Sequence, residues 1–418
     1  MESMKWIIAG ALAFVTGWAL TGFLTAPPVQ MSAYLAVACF ALAGLVYLVT
    51  RPRGRERAIL IGLSALLIVV GYTANAAVVL GREDSRFVPE LTRQAGDAGD
   101  GFTAVIYFTH GEPETYDPIG WLNQFREFDE QGISFVPFVA RPFFLYQLRE
   151  AYLEVGTSQH RLRHLDMAAS LEQKLLDEGY ANIRVYPSFL DDEPRPDAAV
   201  IQALNDGASE IVVAEVFVSI SNHTAEGEEL IHEVDVESLG VPLTFTGPLW
   251  DSATLHQMFV DKVEAERGEI PRDRVSVLLV GHGQPDEWDE EWATETEHEL
   301  GLREGIIDAL VAEGYDRSLL DLAWMSFKEP TVPQRAGELA SAGADKLVYF
   351  STGISAESIH SQYDVPELVA EARIDESVET VNLGAWNNHP LTIKAIAERV
   401  IPLLPESARG EANVTREP

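Results

Sequence analysis

The stretch VSVLLVGHGQPDEWD, Val275–Asp289, decides the fold of this chain. It opens with an uninterrupted apolar run and then changes abruptly to Gly-His-Gly, a pattern typical of a buried parallel strand that ends in a tight turn. In doubly wound α/β sheets, ligands bind where the strands end, at their carboxyl edge. The sequence therefore predicts that His282 lies where a side chain can take part in chemistry.

The same pattern occurs earlier in the chain. The stretch AVIYFTHGEPETYD, Ala104–Asp117, aligns with Ser276–Asp289 and pairs His110 with His282. Each copy is followed, in the same order, by a Glu-Pro pair, a Gly-Ala pair, an apolar strand and a second histidine. The paired residues are Glu193 with Glu329, and His223 with His360. Four markers that recur in one order indicate the duplication of a whole domain.

Alternating strands and helices follow each copy, which predicts a parallel sheet in each half. The predicted fold class is α/β, with two duplicated doubly wound parallel-sheet lobes at residues 102–268 and 274–405. A polar linker, residues 83–101, precedes them, and residues 406–418 are predicted to form a disordered tail. An aromatic-rich insertion, Tyr116–Gly156, has no counterpart in the second lobe. It predicts either a partly buried helical hairpin or a lip that holds a flat apolar ligand.

Residues 1–82 differ sharply from the rest of the chain. They contain three uncharged apolar runs, Trp6–Leu24, Met31–Thr50 and Ala58–Leu80. Each run is about long enough to span a hydrocarbon layer ~30 Å thick. The sequence predicts an N-terminal all-α bundle of three transmembrane helices that meets the lipid bilayer through residues 6–80. The alternative, a signal peptide followed by buried core helices, accounts less well for three uncharged runs in succession.

The loops between these runs predict an orientation. The loop RPRGRER, Arg51–Arg57, holds four arginines, whereas Thr25–Gln30 holds no charge. Loops rich in Lys and Arg remain on the cytoplasmic side. We therefore expect an integral membrane protein with a cytoplasmic amino terminus and with the residues after Leu80 on the extracytoplasmic side.

Composition restricts the partners and the possible ligands. The chain has 30 Lys and Arg against 65 Asp and Glu, a formal net charge of −35, and nearly all of the acidic residues follow residue 86. This balance does not favour nucleic acid as a partner. The single cysteine, Cys39, lies inside the second apolar run, so a disulfide framework and a cysteine metal site are excluded. Any metal must be bound by His, Glu or Asp.

Three side chains of the second lobe are the primary candidates for a site: His282, Glu329 and His360. Each follows a strand, so all three are expected at one edge of the sheet. Two imidazoles and one carboxylate suit a divalent first-row metal, and a neutral imidazole can also act as a base. The acidic surroundings predict raised histidine pKa values. The copies in the first lobe form a second candidate set: His110, Glu193 and His223. Each residue also has a purely structural interpretation; Glu329 could be a charge at a helix amino terminus.

At these motifs the sequence resembles the class II tetrapyrrole chelatases, which include the sirohydrochlorin cobaltochelatases and the ferrochelatases. The resemblance covers nearly all of residues 102–403 and is closest in the second lobe. The segments that carry it are LLVGHGQP (Leu278–Pro285), FKEPTVPQRAGELASAGADKLVYF (Phe327–Phe350), SAESIHSQYDVPELVAEAR (Ser355–Arg373) and LGAWNNHPLTIKAIAERV (Leu383–Val400).

The resemblance implies that His282 and His360 face each other across a metal site, with Glu329 as the intervening acid. Ferrochelatases carry a glutamate in an acidic-His-x-Glu-x-x-Tyr-Asp pattern. Here the Tyr-Asp pair is kept, His360 stands where that glutamate would be, and Glu357 falls on the acidic position. This departure favours the cobaltochelatase type, which has a histidine pair.

The implied function is insertion of Co²⁺, Fe²⁺ or Ni²⁺ into a tetrapyrrole, with the metal as substrate or ligand and no organic cofactor. The membrane segment leaves two alternatives open. One is a carrier or sensor that binds a metal or a haem-like tetrapyrrole at the membrane without catalysis. The other is a subunit of a membrane complex whose lobes serve as a platform for partners. The oligomeric state stays open.

Overall fold

The structure, a computed structural model, describes residues 2–83, 86–97, 99–133 and 136–409. The chain divides into two compact units. One unit contains residues 1–85 and 115–156, and the other contains residues 86–114 and 157–418.

The first unit begins with three helices that are long and apolar enough to cross a membrane. They are α1 (Glu2–Thr25), α2 (Pro28–Thr50) and α3 (Arg55–Leu80).

Helices α1 and α3 pack closely because glycines remove side chains from their contact. A Cβ atom at Gly17 would lie 1.9 Å from the carbonyl oxygen of Ile68, and one at Gly71 would lie 2.1 Å from that of Phe14. The hydroxyl of Thr21 donates a hydrogen bond across the contact to the Tyr72 carbonyl, at 2.9 Å. Small residues and interhelical hydrogen bonds of this kind are what hold helices together in a membrane.

The aromatic-rich insertion forms two helices, α4 (Ile119–Glu130) and α5 (Arg141–Val155). This confirms the helical-hairpin interpretation. Its buried side chains pack with α3; the cluster comprises Ala76, Leu80, Leu122, Phe125 and Leu145. Residues 115–156 therefore share a compact unit with α1–α3, whereas the sequence analysis assigned them to the first lobe. The reason is the apolar face that the hairpin buries against α3.

The first lobe is a four-stranded parallel sheet in the order β2-β1-β3-β4. Its strands are β1 (Phe102–Thr109), β2 (Ile183–Phe189), β3 (Ala208–Glu215) and β4 (Leu243–Phe245). Its helices are α6 (His160–Asp177), α7 (Pro196–Asn205), α8 (Asn222–His232) and α9 (Ala253–Arg267).

The second lobe repeats this topology, with a parallel sheet in the order β6-β5-β7-β8. Its strands are β5 (Val275–Gly281), β6 (Leu320–Trp324), β7 (Lys346–Ser351) and β8 (Glu379–Asn382). Its helices are α10 (Asp286–Asp289), α11 (Ala293–Ala312), α12 (Val332–Ser341), α13 (Val365–Glu371) and α14 (Pro390–Val400). The same strand order in both sheets confirms the predicted fold class of two duplicated α/β lobes.

The two lobes share one apolar core. Buried side chains of β1, β5, α9 and α14 belong to a single cluster. Within it, the rings of Phe259 on α9 and Phe350 on β7 meet edge to face, with centroids 5.1 Å apart. Beside them the ammonium group of Lys262 donates to the carbonyl oxygens of Leu383 and Ala385, at 2.8 and 2.6 Å. A helix of the first lobe is thus fixed to the second lobe by apolar and polar contacts together.

The predicted linker and the predicted disordered tail both form hydrogen bonds with the first lobe. In the predicted linker, the backbone N–H of Thr92 donates to the side-chain oxygen of Asn205, at 2.8 Å. At the other end, Glu406–Ala408 form a short helical turn inside the predicted disordered tail. The methyl group of Ala408 is buried and its carbonyl accepts a hydrogen bond from Asn182, at 3.0 Å, so this turn is ordered. Residues 410–418 of the predicted tail lie outside the described residues.

The shared core predicts the cost of removing one of its rings. We expect Phe259→Ala to lower the free energy of unfolding by about 3–5 kcal/mol, because the ring is fully buried and leaves a cavity. Chemical denaturation followed by tryptophan fluorescence measures the change. Phe87→Ala is the matched control, since Phe87 is 73% exposed. A loss at Phe259 no larger than at Phe87 would contradict the shared core.

Candidate metal centre

Two histidines of the second lobe face each other at the carboxyl edge of its sheet. His282 comes directly after β5, which lies between β6 and β7. His360 begins a single wide, π-helical turn, His360–Asp364, that leads into α13. The two ring centroids are 5.4 Å apart and the ring planes are inclined by 65°. The structure thus brings together the two histidines that the sequence analysis paired.

Hydrogen bonds fix the orientation of both imidazole rings. In His282, Nδ1 lies 2.7 Å from the carbonyl oxygen of Gly283. In His360, Nδ1 lies 2.6 Å from a carboxylate oxygen of Asp364. Because both acceptors require a proton on Nδ1, the lone pair of each neutral ring is on Nε2. A carboxylate that orients a histidine in this way is a common outer partner of metal ligands.

The separation of the rings suits a metal ion bound by both. A metal–nitrogen bond of about 2.0–2.1 Å puts the ion about 3.2 Å from the centroid of each ligating ring. Two such rings in tetrahedral arrangement have centroids about 5.2 Å apart. The observed 5.4 Å is close to this value. The centroid separation therefore matches that of two imidazoles bound to one metal ion.

The two rings differ in their electrostatic surroundings. Burial, with the charges of His360 and His110, lowers the pKa of His282 to about 4. Burial also acts to lower the pKa of His360, but the hydrogen bond and charge of Asp364, together with the Glu112 carboxylate, raise it above its ordinary value. The predicted rise in histidine pKa is therefore found at His360 and is wrong for His282, where burial and neighbouring imidazoles dominate.

The first lobe assembles a corresponding pair. His110 directly follows β1, and His223 is the second residue of α8. Their ring centroids are 4.8 Å apart. Burial, then the charges of His110 and His282, hold the pKa of His223 well below its ordinary value. The two pairs thus lie within electrostatic range of each other, in one site between the lobes.

Glu112 is a site residue that the sequence analysis did not identify. Its carboxylate accepts the backbone N–H of Ile359, at 3.0 and 3.2 Å, immediately before His360 in the chain. It also accepts the hydroxyl of Ser158. Burial raises the pKa of Glu112, although Ser158 and His360 oppose the rise. The sequence contained one indication: Glu112 stands two residues after His110, where the repeat has the neutral Gln284.

The two glutamates of the predicted sets are placed differently. The carboxylate of Glu329 is exposed and accepts the backbone N–H of Thr331, at 3.2 Å, just before α12. That of Glu193 accepts the N–H of Phe87, at 3.3 Å. Among the described residues, no three His, Cys, Asp or Glu side chains converge closely enough to hold a metal ion. The structure therefore does not bring Glu329 to the His282–His360 pair, and its contact is that of a charge at a helix amino terminus.

A small pocket lies beside His282. It is partly open to solvent and is lined by Val280, Gly281, His282, Met325, Ser351, Gly353, Ile354 and Val365.

Each of the two duplicated α/β lobes thus carries a pair of imidazoles near the carboxyl edge of its sheet. The family is shown by sequence comparison: the ferrochelatase family model matches residues 103–403. The chain belongs to the ferrochelatase family and is a metal chelatase. A comparison with curated protein sequences finds no significant match.

Solved structures of similar overall arrangement include several chelatases. The chain resembles SirB from Bacillus subtilis with Fe³⁺ (14% identity, 73% of this chain and 96% of that one, TM-score 0.47). It also resembles the sirohydrochlorin chelatase SirB from Bacillus subtilis subspecies spizizenii in complex with cobalt (13%, 73% and 95%, TM-score 0.42). A third is CbiX, the terminal enzyme for the biosynthesis of sirohaem in denitrifying bacteria (13%, 73% and 100%, TM-score 0.42).

The contrast between the two rings can be measured directly. We expect His360 to titrate above its ordinary pKa and His282 far below it. Asp364→Asn should lower the pKa of His360, because burial is then opposed only by the Glu112 carboxylate. Side-chain ¹⁵N NMR of the histidines over a pH series reports both pKa values. The signals of the two rings are assigned by their loss in His360→Gln and His282→Gln. Asp375→Asn, at an exposed position, is the control. An unchanged His360 pKa in Asp364→Asn would contradict the assigned hydrogen bond.

Proposed function

We propose that this protein is a membrane-anchored chelatase that inserts a divalent metal, Co²⁺, Fe²⁺ or Ni²⁺, into a tetrapyrrole. The observation that carries the proposal is the facing pair of His282 and His360, with Asp364 behind the second ring. In this proposal the two Nε2 atoms bind the incoming metal. The pair then releases the metal to the pyrrole nitrogens of the macrocycle.

The two histidines have different roles in the proposed reaction. Metal insertion replaces two pyrrole N–H protons, which need an acceptor. His282, with its pKa lowered to about 4, is neutral at physiological pH and serves as a ligand rather than as a base. His360 is the stronger base because Asp364 and Glu112 stabilise its protonated form. We infer that His360 takes up one pyrrole proton as the metal leaves it and that the second proton passes to solvent water. Holding the two substrates together supplies the remaining rate enhancement.

Glu329 stays in the proposal as a third ligand or acid, as the family resemblance implies. Its exposed carboxylate would have to leave the Thr331 amide to reach the metal. The first-lobe set of His110, Glu193 and His223 is proposed as a secondary metal site, after that of the second lobe. In that set the described contacts give His223 no carboxylate partner comparable to Asp364.

One alternative function rests on the same observation, the facing imidazoles of His282 and His360. A metal carrier or sensor at the membrane would use the same His282–His360 pair without insertion. Anaerobic incubation of the full chain in detergent with Co²⁺, Fe²⁺ or Ni²⁺ and sirohydrochlorin or protoporphyrin distinguishes the two. Absorbance changes of metal insertion support the chelatase, and metal binding without them supports the carrier.

The site proposal predicts the effect of removing each ring. We expect His282→Ala and His360→Ala each to abolish or nearly abolish chelation, because each removes one of two nitrogen ligands. Asp364→Asn should weaken Co²⁺ binding by about 10–100-fold, the usual cost of losing the partner that orients a metal ligand. Titration calorimetry and the absorbance assay measure these changes.

Two controls complete this experiment. His232→Ala removes an exposed histidine at the end of α8 and should leave binding unchanged. His110→Ala reports on the first lobe: a halved stoichiometry means that both pairs bind metal, and a small loss means that the second-lobe pair acts alone. Unchanged Co²⁺ binding in the double variant His282→Ala, His360→Ala would show that the site assignment is wrong.

We also propose that the lobes lie on the extracytoplasmic side, with the amino terminus and the Arg51–Arg57 loop in the cytoplasm. Alkaline phosphatase fused after residue 418 should then be active, because this reporter folds only outside the cytoplasm. A fusion of the same reporter after Arg53 is the matched control and should be inactive. The reverse pattern would contradict the orientation while leaving the anchor intact.

A further inference from the structure

The helical hairpin α4–α5 is attached to the ends of the apolar helices at one side of the first unit. The guanidinium group of Arg149 donates to the carbonyl oxygens of Phe23 and Ala26, at 2.6 and 3.0 Å, where α1 ends. Arg126 donates to the carbonyl oxygen of Arg82, at 2.8 Å, just beyond the end of α3. Free carbonyl groups at helix ends are satisfied by these arginines. The hairpin is thus held at the side where α1 and α3 both end.

From these attachment points the hairpin reaches along α3 toward the middle of the apolar span. The phenol of Tyr72 donates to the backbone carbonyl of Val139, at 2.7 Å. The rings of Tyr72 and Phe143 have centroids 6.2 Å apart. Tyr72 precedes Leu80, the last residue of α3, by eight positions, which is ~12 Å of helix. The start of α5 therefore lies beside a part of α3 that is well inside the span.

The surface of the hairpin at this level is apolar and exposed. Phe138, Val139 and Phe143 are 41%, 55% and 53% exposed. They continue the exposed apolar surface of α3, on which Val69 is 57% exposed. Between Val136 and Tyr146 the only charged residue is Arg141, whose side chain is buried and donates to the Asp129 carboxylate at 2.7 Å. A paired and buried charge of this kind is compatible with a membrane interface.

We propose that the hairpin α4–α5 is an interfacial membrane element, with Phe138, Val139 and Phe143 inserted among the lipids of the leaflet in which α3 ends. The proposal rests on the membrane anchor of the proposed function. Its partner is the lipid bilayer, because the exposed apolar residues of the hairpin are continuous with those of a helix that spans it. The exposed Asp129 and Glu130, at the end of α4, belong at the level of the lipid headgroups. Interfacial helices bury an apolar face ~5–10 Å deep in this manner.

Spin-label accessibility in the full chain tests this placement. Single cysteines replace Phe138, Phe143, Val69 and Glu130 in a Cys39→Ser background, and each is labelled with a nitroxide in phosphatidylcholine nanodiscs. For each label, two collision rates are measured separately: with oxygen, which concentrates in the bilayer, and with a water-soluble nickel(II) chelate. We expect the labels at Phe138→Cys and Phe143→Cys to collide more with oxygen than with the nickel chelate. The ratio should be reversed at Glu130→Cys. These positions are exposed, so the substitutions leave the core intact.

Three other outcomes overturn the proposal for different reasons. Nickel accessibility at Phe138→Cys and Phe143→Cys, with oxygen accessibility kept at Val69→Cys, would mean that the helices span the bilayer and the hairpin lies in water. Protection of both hairpin labels from both agents would mean that protein, from a second copy or another partner, covers the surface. Nickel accessibility at Val69→Cys as well would remove the membrane anchor itself, and with it that part of the proposed function.

Discussion

The apolar core shared by the two lobes is the constraint on which the site depends. His110 and His282 follow β1 and β5, the strands through which each sheet enters that core. A strand whose side chains are all buried cannot shift its register without exposing apolar surface. The core therefore fixes where each strand ends, and with it the position of each first histidine. The second histidine of each pair comes from the helix after β3 or the turn after β7, the strands that lie beside β1 and β5 in the two sheets. Glu112 ties the turn after β7 to the first lobe.

Burial of several imidazoles together determines what the site can do. Each protonated ring would raise the cost of protonating its neighbours in a partly dry environment, so His223 and His282 stay neutral. Neutral imidazoles are the ligands that divalent first-row metals take, whereas protonated ones repel cations. The surrounding chain carries a net charge of −35, which favours the approach of cations from solvent. In the proposed function, the acidic surface attracts the ion and the buried imidazole nitrogens bind it, so no carboxylate has to contact the metal directly.

The sequence predicted the parts of the structure that follow from periodicity and strand ends. The run before His282, and its copy before His110, indicated buried parallel strands, and the structure has both strands with these histidines directly after them. The sequence could not predict that Glu112 would reach Ile359, because that contact joins residues far apart in the chain and depends on how the lobes pack. Glu329 illustrates the opposite case. Its spacing in the repeat suggested a ligand, but the local geometry before α12 gives its carboxylate a backbone amide. Ala408 is a single small apolar residue in a polar segment, so no pattern indicated its burial.

Because the two lobes are copies, the differences between the surroundings of their histidine pairs are informative. Two identical copies would give both histidine pairs the same surroundings, yet Glu112 of the first lobe corresponds to Gln284 of the second. Glu112 places a carboxylate against the turn that holds His360, whereas the amide of Gln284 donates to Asp289 and to the Trp292 carbonyl and adds no charge. Asp364 is the main cause of the raised pKa of His360 and Glu112 adds to it, whereas burial and the neighbouring imidazoles lower the pKa of His223. A reaction that must both bind a cation and accept protons needs one basic ring among neutral ones. In the proposed reaction, the divergence of the two copies supplies this basic ring in the second lobe, at His360.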